Sequence, residues 1–127
     1  MLSLHIQNLG DVAVLHCKGR ITADEGERLR QAVLAQSPIS MAVLDLAEVT
    51  AIDAAGVGML AALRAWSNET NTILKLMNLT PRVEEVLHVT NLRSAFEICS
   101  VPEMIDLLCR ASRLHRAEAA AATMAAA

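Results

Sequence analysis

At 127 residues the chain has the length of one domain and enough sequence for a single core. Apolar residues make up 54%, but with one Phe, one Trp and no Tyr that core has to be aliphatic. A net charge of −3 with both signs interspersed, and no basic patch interleaved with aromatics, argues against a nucleic-acid surface; no apolar run is long enough to span a bilayer.

The opening residues, MLSLHIQN, lack a basic stretch followed by an apolar one, so no signal peptide is expected. Residues 2–8 alternate apolar and polar, as a strand with one wet face does. Residues 12–18, VAVLHCK, form a second strand, and Leu9-Gly10-Asp11 between them predicts an antiparallel hairpin. Gly19 is expected to end that strand. Thr22-Ala23-Asp24-Glu25 has the form of a capping box and opens a helix of roughly 13 residues, which closes near Ser37-Pro38. Lys18, Arg20, Arg28 and Arg30 read as a solvated basic edge.

Met41 to Leu46 is near-continuously apolar, which suits a central strand buried on both faces. A polar corner follows, with Asp45 at the strand end, and a helix is predicted from Gly56 to about Asn68. Val57, Met59, Leu60, Ala61, Ala62, Leu63, Ala65 and Trp66 surround most of that helix. One covered face needs a stripe of only about 100°. The helix is therefore either buried by its own chain or docked in part on a partner, and a homodimer is one such option. Residues 72–77 form a fourth strand. Thr80-Pro81 starts a helix with Thr as cap, ending near Asn91. Residues 95–99 are a short last strand. Ser100-Val101-Pro102-Glu103 opens a final helix through Leu114. The Ala-rich residues 116–127 favour helix but have no face to bury, and are expected to fray.

The predicted order is β β α β α β α β α with no internal repeat. It implies an α/β domain over residues 1–115. The sheet is mixed, with four or five strands beginning in the hairpin, and about four helices pack mainly on one side.

The corner holds the candidate functional residues. Asp53 reads first as the N-cap of the following helix, satisfying N–H groups of Ala55 and Gly56. Gly56 and Gly58 allow close approach of helix to sheet or partner. Thr22 is a cap before it is a modification site. His5, His16, His88 and His115 share no metal-ligand spacing, and Met59, Met77 and Met104 suit an aliphatic core. Cys17, Cys99 and Cys109 contain no CxxC; they read as reduced cytoplasmic thiols, the last two buried or half-buried. There is no nucleophile–base pair at meaningful spacing and no phosphate-cradling Gly-rich loop, so no enzyme, cofactor or metal is expected. Asp45 and Asp53 are the one pair of carboxylates that could be imagined to converge on a substrate.

The string VLDLAEVTAIDAAGVGML resembles the signature of the STAS domain, the family of anti-sigma factor antagonists: an apolar strand, Asp-Leu, a turn, Ile-Asp, two small residues and a helix-opening Gly. Gly19-Arg20-Ile21-Thr22, Leu79-Thr80-Pro81-Arg82-Val83 and Leu87-His88-Val89-Thr90-Asn91-Leu92 resemble three further family segments. The resemblance covers about residues 4 to 108. It implies a non-catalytic cytoplasmic regulator that binds an anti-sigma factor, itself a protein kinase, and is switched off by phosphorylation directly after the corner Asp. Such a phosphate adds nearly two negative charges inside the interface.

This chain departs from that pattern. Ala54 follows Asp53 and Ala55 follows it, so the phospho-acceptor is absent. Thr22 stands where the family often has Asp, and Asn91 where it often has Gly. Three readings stay open: a binder that is always competent, a binder regulated at another hydroxyl such as Thr50 or Thr22, or a STAS subunit of another assembly such as a lipid-transport ABC complex. In each, the implied contact residues are Thr22, Thr50, Asp53, Ala54, Ala55, Gly56, Val57, Gly58 and Met59.

Overall fold

The computed structural model describes residues 2–100, 102–106 and 109–110. Ser3–Leu9 (β1) and Val12–Ile21 (β2) form the antiparallel hairpin, turning at Gly10 with φ +62°. Ala23–Ala35 (α1), Met41–Ile52 (β3), Ala54–Glu69 (α2), Ile73–Met77 (β4), Pro81–Val89 (α3), a 3-10 turn at Arg93–Ala95 and Glu97–Cys99 (β5) follow. The sheet order is β1-β2-β3-β4-β5, antiparallel at β1–β2 and parallel elsewhere. The expected α/β mixed sheet is therefore present, with all five strands.

Alternation along the strands sorts the side chains onto two faces. Leu15, Leu44, Leu46, Leu74 and Leu76 are fully buried beneath α1, α2 and α3 through Leu29, Val33, Leu60, Leu63, Val83 and Leu87. Val14, Val43, Met41, Met77 and Cys99 face the other way, where Met104 of a last helical segment covers them. That segment is helical over residues 102–106 and 109–110, and Ser100 Oγ accepts from the Glu103 N–H at 3.3 Å, as the second capping box predicts. The rest of the predicted last helix and the Ala-rich residues 116–127 lie outside the described residues.

Two boundaries differ from expectation. Gly19 does not end β2. It takes φ +113° at a register irregularity, and the strand continues to Ile21. A bulge of this kind needs a positive φ that Gly supplies without steric cost. The continuation gives the polar corner a partner. β3 therefore runs on past Leu46 to Ile52, with Gly19 opposite Val49 and Ile21 opposite Ile52. In that extension Val49 and Ile52 are buried while Ala47, Glu48 and Thr50 are exposed; the spacing is not a strict alternation, because the register shift between Gly19 and Arg20 leaves Thr50 with no residue opposite it.

Candidate functional site: the corner between β3 and α2

β3 delivers the chain to Asp53, where α2 begins. The helix starts at Ala54, two residues earlier than predicted, because Asp53 is the cap. Its Oδ1 accepts from the Gly56 N–H at 2.8 Å, and its carbonyl accepts from Val57 at 3.0 Å. A carboxylate here also suits the positive end of the helix dipole. The Asp53 N–H donates to the Ile21 carbonyl at 3.3 Å, which ties the corner to the end of β2.

Gly56 is required by packing. A Cβ on it would collide with the Ile21 carbonyl oxygen and come within 2.9 Å of Ile52 Cγ1. Gly26 of α1 lies against the same place, its Cβ position 3.8 Å from the Gly56 Cα. The two helices thus cross at a pair of glycines, with α1 starting from Thr22 beside the corner.

Thr22 is the N-cap residue of α1, but its side chain makes no capping hydrogen bond. The predicted capping box is not formed. Glu25 instead pairs with Arg28 at 2.7 Å, and that hydrogen bond holds its carboxyl below the usual range. Arg28 also donates to the Leu2 carbonyl at 2.8 Å, so one member of the expected basic edge anchors the N-terminal strand.

The nine predicted contact residues divide by exposure. Thr50, Asp53, Ala54, Ala55 and Gly58 are exposed, and Thr22 is half-buried at the rim. Gly56, Val57 and Met59 are buried and belong to the core. Thr50 Oγ1 donates to the Gly19 carbonyl at 3.3 Å. The wide apolar circumference of α2 resolves in the same way. Its large side chains Val57, Met59, Leu60 and Leu63 are covered by the chain itself, and Ala54, Ala55, Gly58, Ala62 and Ala65 face outward. Open space surrounds Gly58, where an added Cβ would meet nothing within 4 Å.

Asp45 is not part of this corner. It sits mid-strand on the opposite sheet face and accepts from His16 Nδ1 at 2.7 Å, from the Ala47 N–H at 3.1 Å and from Asn78 Nδ2 at 3.2 Å. The two carboxylates thus have separate partners. Sequence reasoning missed the His16–Asp45 contact, for which the parallel register of β2 and β3 is the only signal. Cys17 is buried, and burial pushes its thiol up to about 12; burial raises Cys99 as well. Cys109 is exposed, contrary to expectation. Among the described residues, no group of three or more His, Cys, Asp and Glu side chains is placed to hold a metal ion, and no helix is long and apolar enough to cross a membrane.

A family model described as "Mlab, STAS domain" matches residues 4–101, from β1 through β5 and the whole corner. The chain belongs to the STAS domain family. Solved STAS structures share its fold. The unphosphorylated anti-sigma factor antagonist SpoIIAA superposes with a TM-score of 0.69 at 16% identity, over 84% of this chain and 96% of that one. An anti-sigma factor antagonist from Mycobacterium paratuberculosis gives 0.66 at 24% identity, over 77% and 85%. A sulfate transporter family protein from Wolinella succinogenes gives 0.68 at 17% identity, over 81% and 88%. No curated protein matches in a sequence search. The STAS fold therefore occurs both in antagonists and in a transporter family, and this chain carries Ala54 directly after the corner Asp in the signature that the resemblance rests on.

Proposed function

We propose that the chain is a non-catalytic, cytoplasmic protein-binding module. Its contact surface is Thr50, Asp53, Ala54, Ala55 and Gly58, with Thr22 at the rim, and its partner is an anti-sigma factor of the protein-kinase type. One observation carries this reading. The start of α2 turns only small side chains outward while its large ones anchor the helix from below. A flat surface on a rigid support suits a protein partner better than a small molecule. Four cavities of about 260–410 Å³ lie elsewhere, lined for example by His88, Asn91, Arg93 and Ser94 or by Arg30, Ala62 and Trp66, and none of these four includes a corner residue. Binding is not switched at residue 54, because alanine has no oxygen to phosphorylate.

A second reading, a STAS subunit of a transport assembly such as a lipid-transport ABC complex, is favoured by that missing hydroxyl and by the likeness to the Wolinella protein. Affinity capture from the source cell with identification by mass spectrometry separates the two. A histidine-kinase-like anti-sigma factor supports the first reading and a transporter ATPase the second. Capture of neither, with the fold intact, contradicts both.

A further inference from the structure

The two edges of the sheet are built differently. At one edge, β5 is three residues long and carries Glu97, which pairs with Lys75 at 3.5 Å. A short, charged edge strand resists further pairing. At the other edge, β1 is seven residues long, SLHIQNL, and contains no Lys, Arg, Asp, Glu, Pro or Gly. Its register with β2 is unbroken from Ser3 to Leu9, so no bulge turns it away from an incoming strand. Leu9 and Val12 flank the two-residue turn as a hydrogen-bonded pair, and the ladder bonds then alternate back along β1 through Gln7, His5 and Ser3. The N–H and C=O groups of Leu4, Ile6 and Asn8 therefore point to the free edge. Among the described residues no loop or side chain bonds to them. Leu4 and Ile6 pack against the core from the helix side but are only half-buried, so part of each stays open at the rim.

We propose that β1 is a dimer interface: a second copy of the chain pairs with it about a two-fold axis at Ile6, joining the two sheets into one. Two identical strands related by such an axis run antiparallel, and this centre uses the whole strand. Ile6 faces Ile6, and Leu4 faces Asn8 of the other copy, so every outward N–H and C=O finds a partner. Between them His5 faces Gln7, and Ser3 faces Leu9. No like charges meet along the strand, and at its ends opposite charges do. Asp11, in the hairpin turn, is exposed and has no side-chain partner among the described residues. The pairing brings it beside Leu2 of the other copy, whose carbonyl accepts from Arg28 at 2.8 Å. A carboxylate thus arrives next to a guanidinium at both ends of the interface. None of the corner residues lies on β1, so the interface is separate from the corner and from any partner bound there.

The test is sedimentation velocity of the full chain over a concentration series, which should show a monomer–dimer equilibrium and nothing larger. His5 and Gln7 are exposed, so substitutions there should keep the fold, which circular dichroism checks. His5→Lys with Gln7→Lys sets like charges opposite each other twice and should weaken dimerisation by at least about 10-fold. His5→Lys with Gln7→Glu sets opposite charges across the same positions and should restore it. That rescue is specific to the axis at Ile6, since an axis at His5 would place two cationic side chains face to face. Hydrogen exchange read by NMR supplies a second measurement that needs no stable variant series: the Leu4, Ile6 and Asn8 amides should exchange more slowly as the wild-type concentration is raised through the dimerisation range. A chain that stays monomeric at its highest soluble concentration, a dimer that the double lysine variant leaves intact, or amides at these three positions that exchange equally fast in monomer and dimer would overturn the proposal.

Discussion

The carbonyl oxygen of Ile21 occupies the space where a side chain on Gly56 would begin. The end of β2 and the start of α2 are thereby pressed together, and the corner is set by backbone contact rather than by side-chain packing. Gly56→Ala is predicted to destabilise by about 1–3 kcal/mol, because overpacking outweighs the gain in helix propensity. Gly58→Ala, two residues on and facing open space, should stabilise by about 0.5–1 kcal/mol. Urea denaturation of both variants gives the opposite signs directly.

Asp53→Ala removes the α2 cap and should cost about 1 kcal/mol, while Asp53→Asn should cost much less, since both residues cap well. Equal losses in the two variants would mean that the carboxylate charge, rather than the hydrogen bond to Gly56, does the work.

The buried thiol of Cys17 gives the fold a pH dependence on the alkaline side. Its folded value of about 12 lies above the ordinary value of 9.0, so above pH 9 the unfolded chain sheds a proton that the folded chain keeps. The contribution is complete below 9.0 and is lost as pH rises toward about 12, at about 1.4 kcal/mol per pH unit. The stability difference between wild type and Cys17→Ala should therefore shrink over that range and stay constant below it, as denaturation at a series of pH values would show.

Ala54→Ser restores an acceptor hydroxyl at an exposed position on the first turn of α2. Stability should change by less than about 0.5 kcal/mol. Incubated with ATP and the captured anti-sigma kinase, the variant should become phosphorylated at residue 54 while the wild type does not, read by intact mass. No transfer to the variant would weigh toward the transport assembly.

Much of the fold was legible because the strands and helices are carried by strong aliphatic patterns. The hairpin loop at Gly10-Asp11 and the Thr80 cap of α3 were equally plain, the latter with Thr80 Oγ1 accepting from Val83 at 3.3 Å. The boundary misreadings share a cause. Gly19 looks like a strand end and Ala47–Ile52 like a turn, yet each supplies the pairing partner that makes the other a strand. Local pattern cannot show an interaction between segments about 30 residues apart. The Thr22 box failed for a different, local reason: Glu25 pairs with Arg28 three residues on instead of reaching back to the cap. At the corner, the exposed members of the candidate set could be told from the buried Val57 and Met59 only once the direction of α2 was known.

The most direct measurement of the central claim is the affinity of the captured partner for wild type and for Gly58→Arg, with His5→Gln on the far sheet face as a control. Gly58 faces open space, so the variant should fold, which circular dichroism checks. An interface at the corner predicts that Gly58→Arg lowers affinity by at least about 2 kcal/mol, the scale of an interface hot spot, while His5→Gln binds as wild type does. Undiminished binding by Gly58→Arg would contradict the account and place the partner on another face.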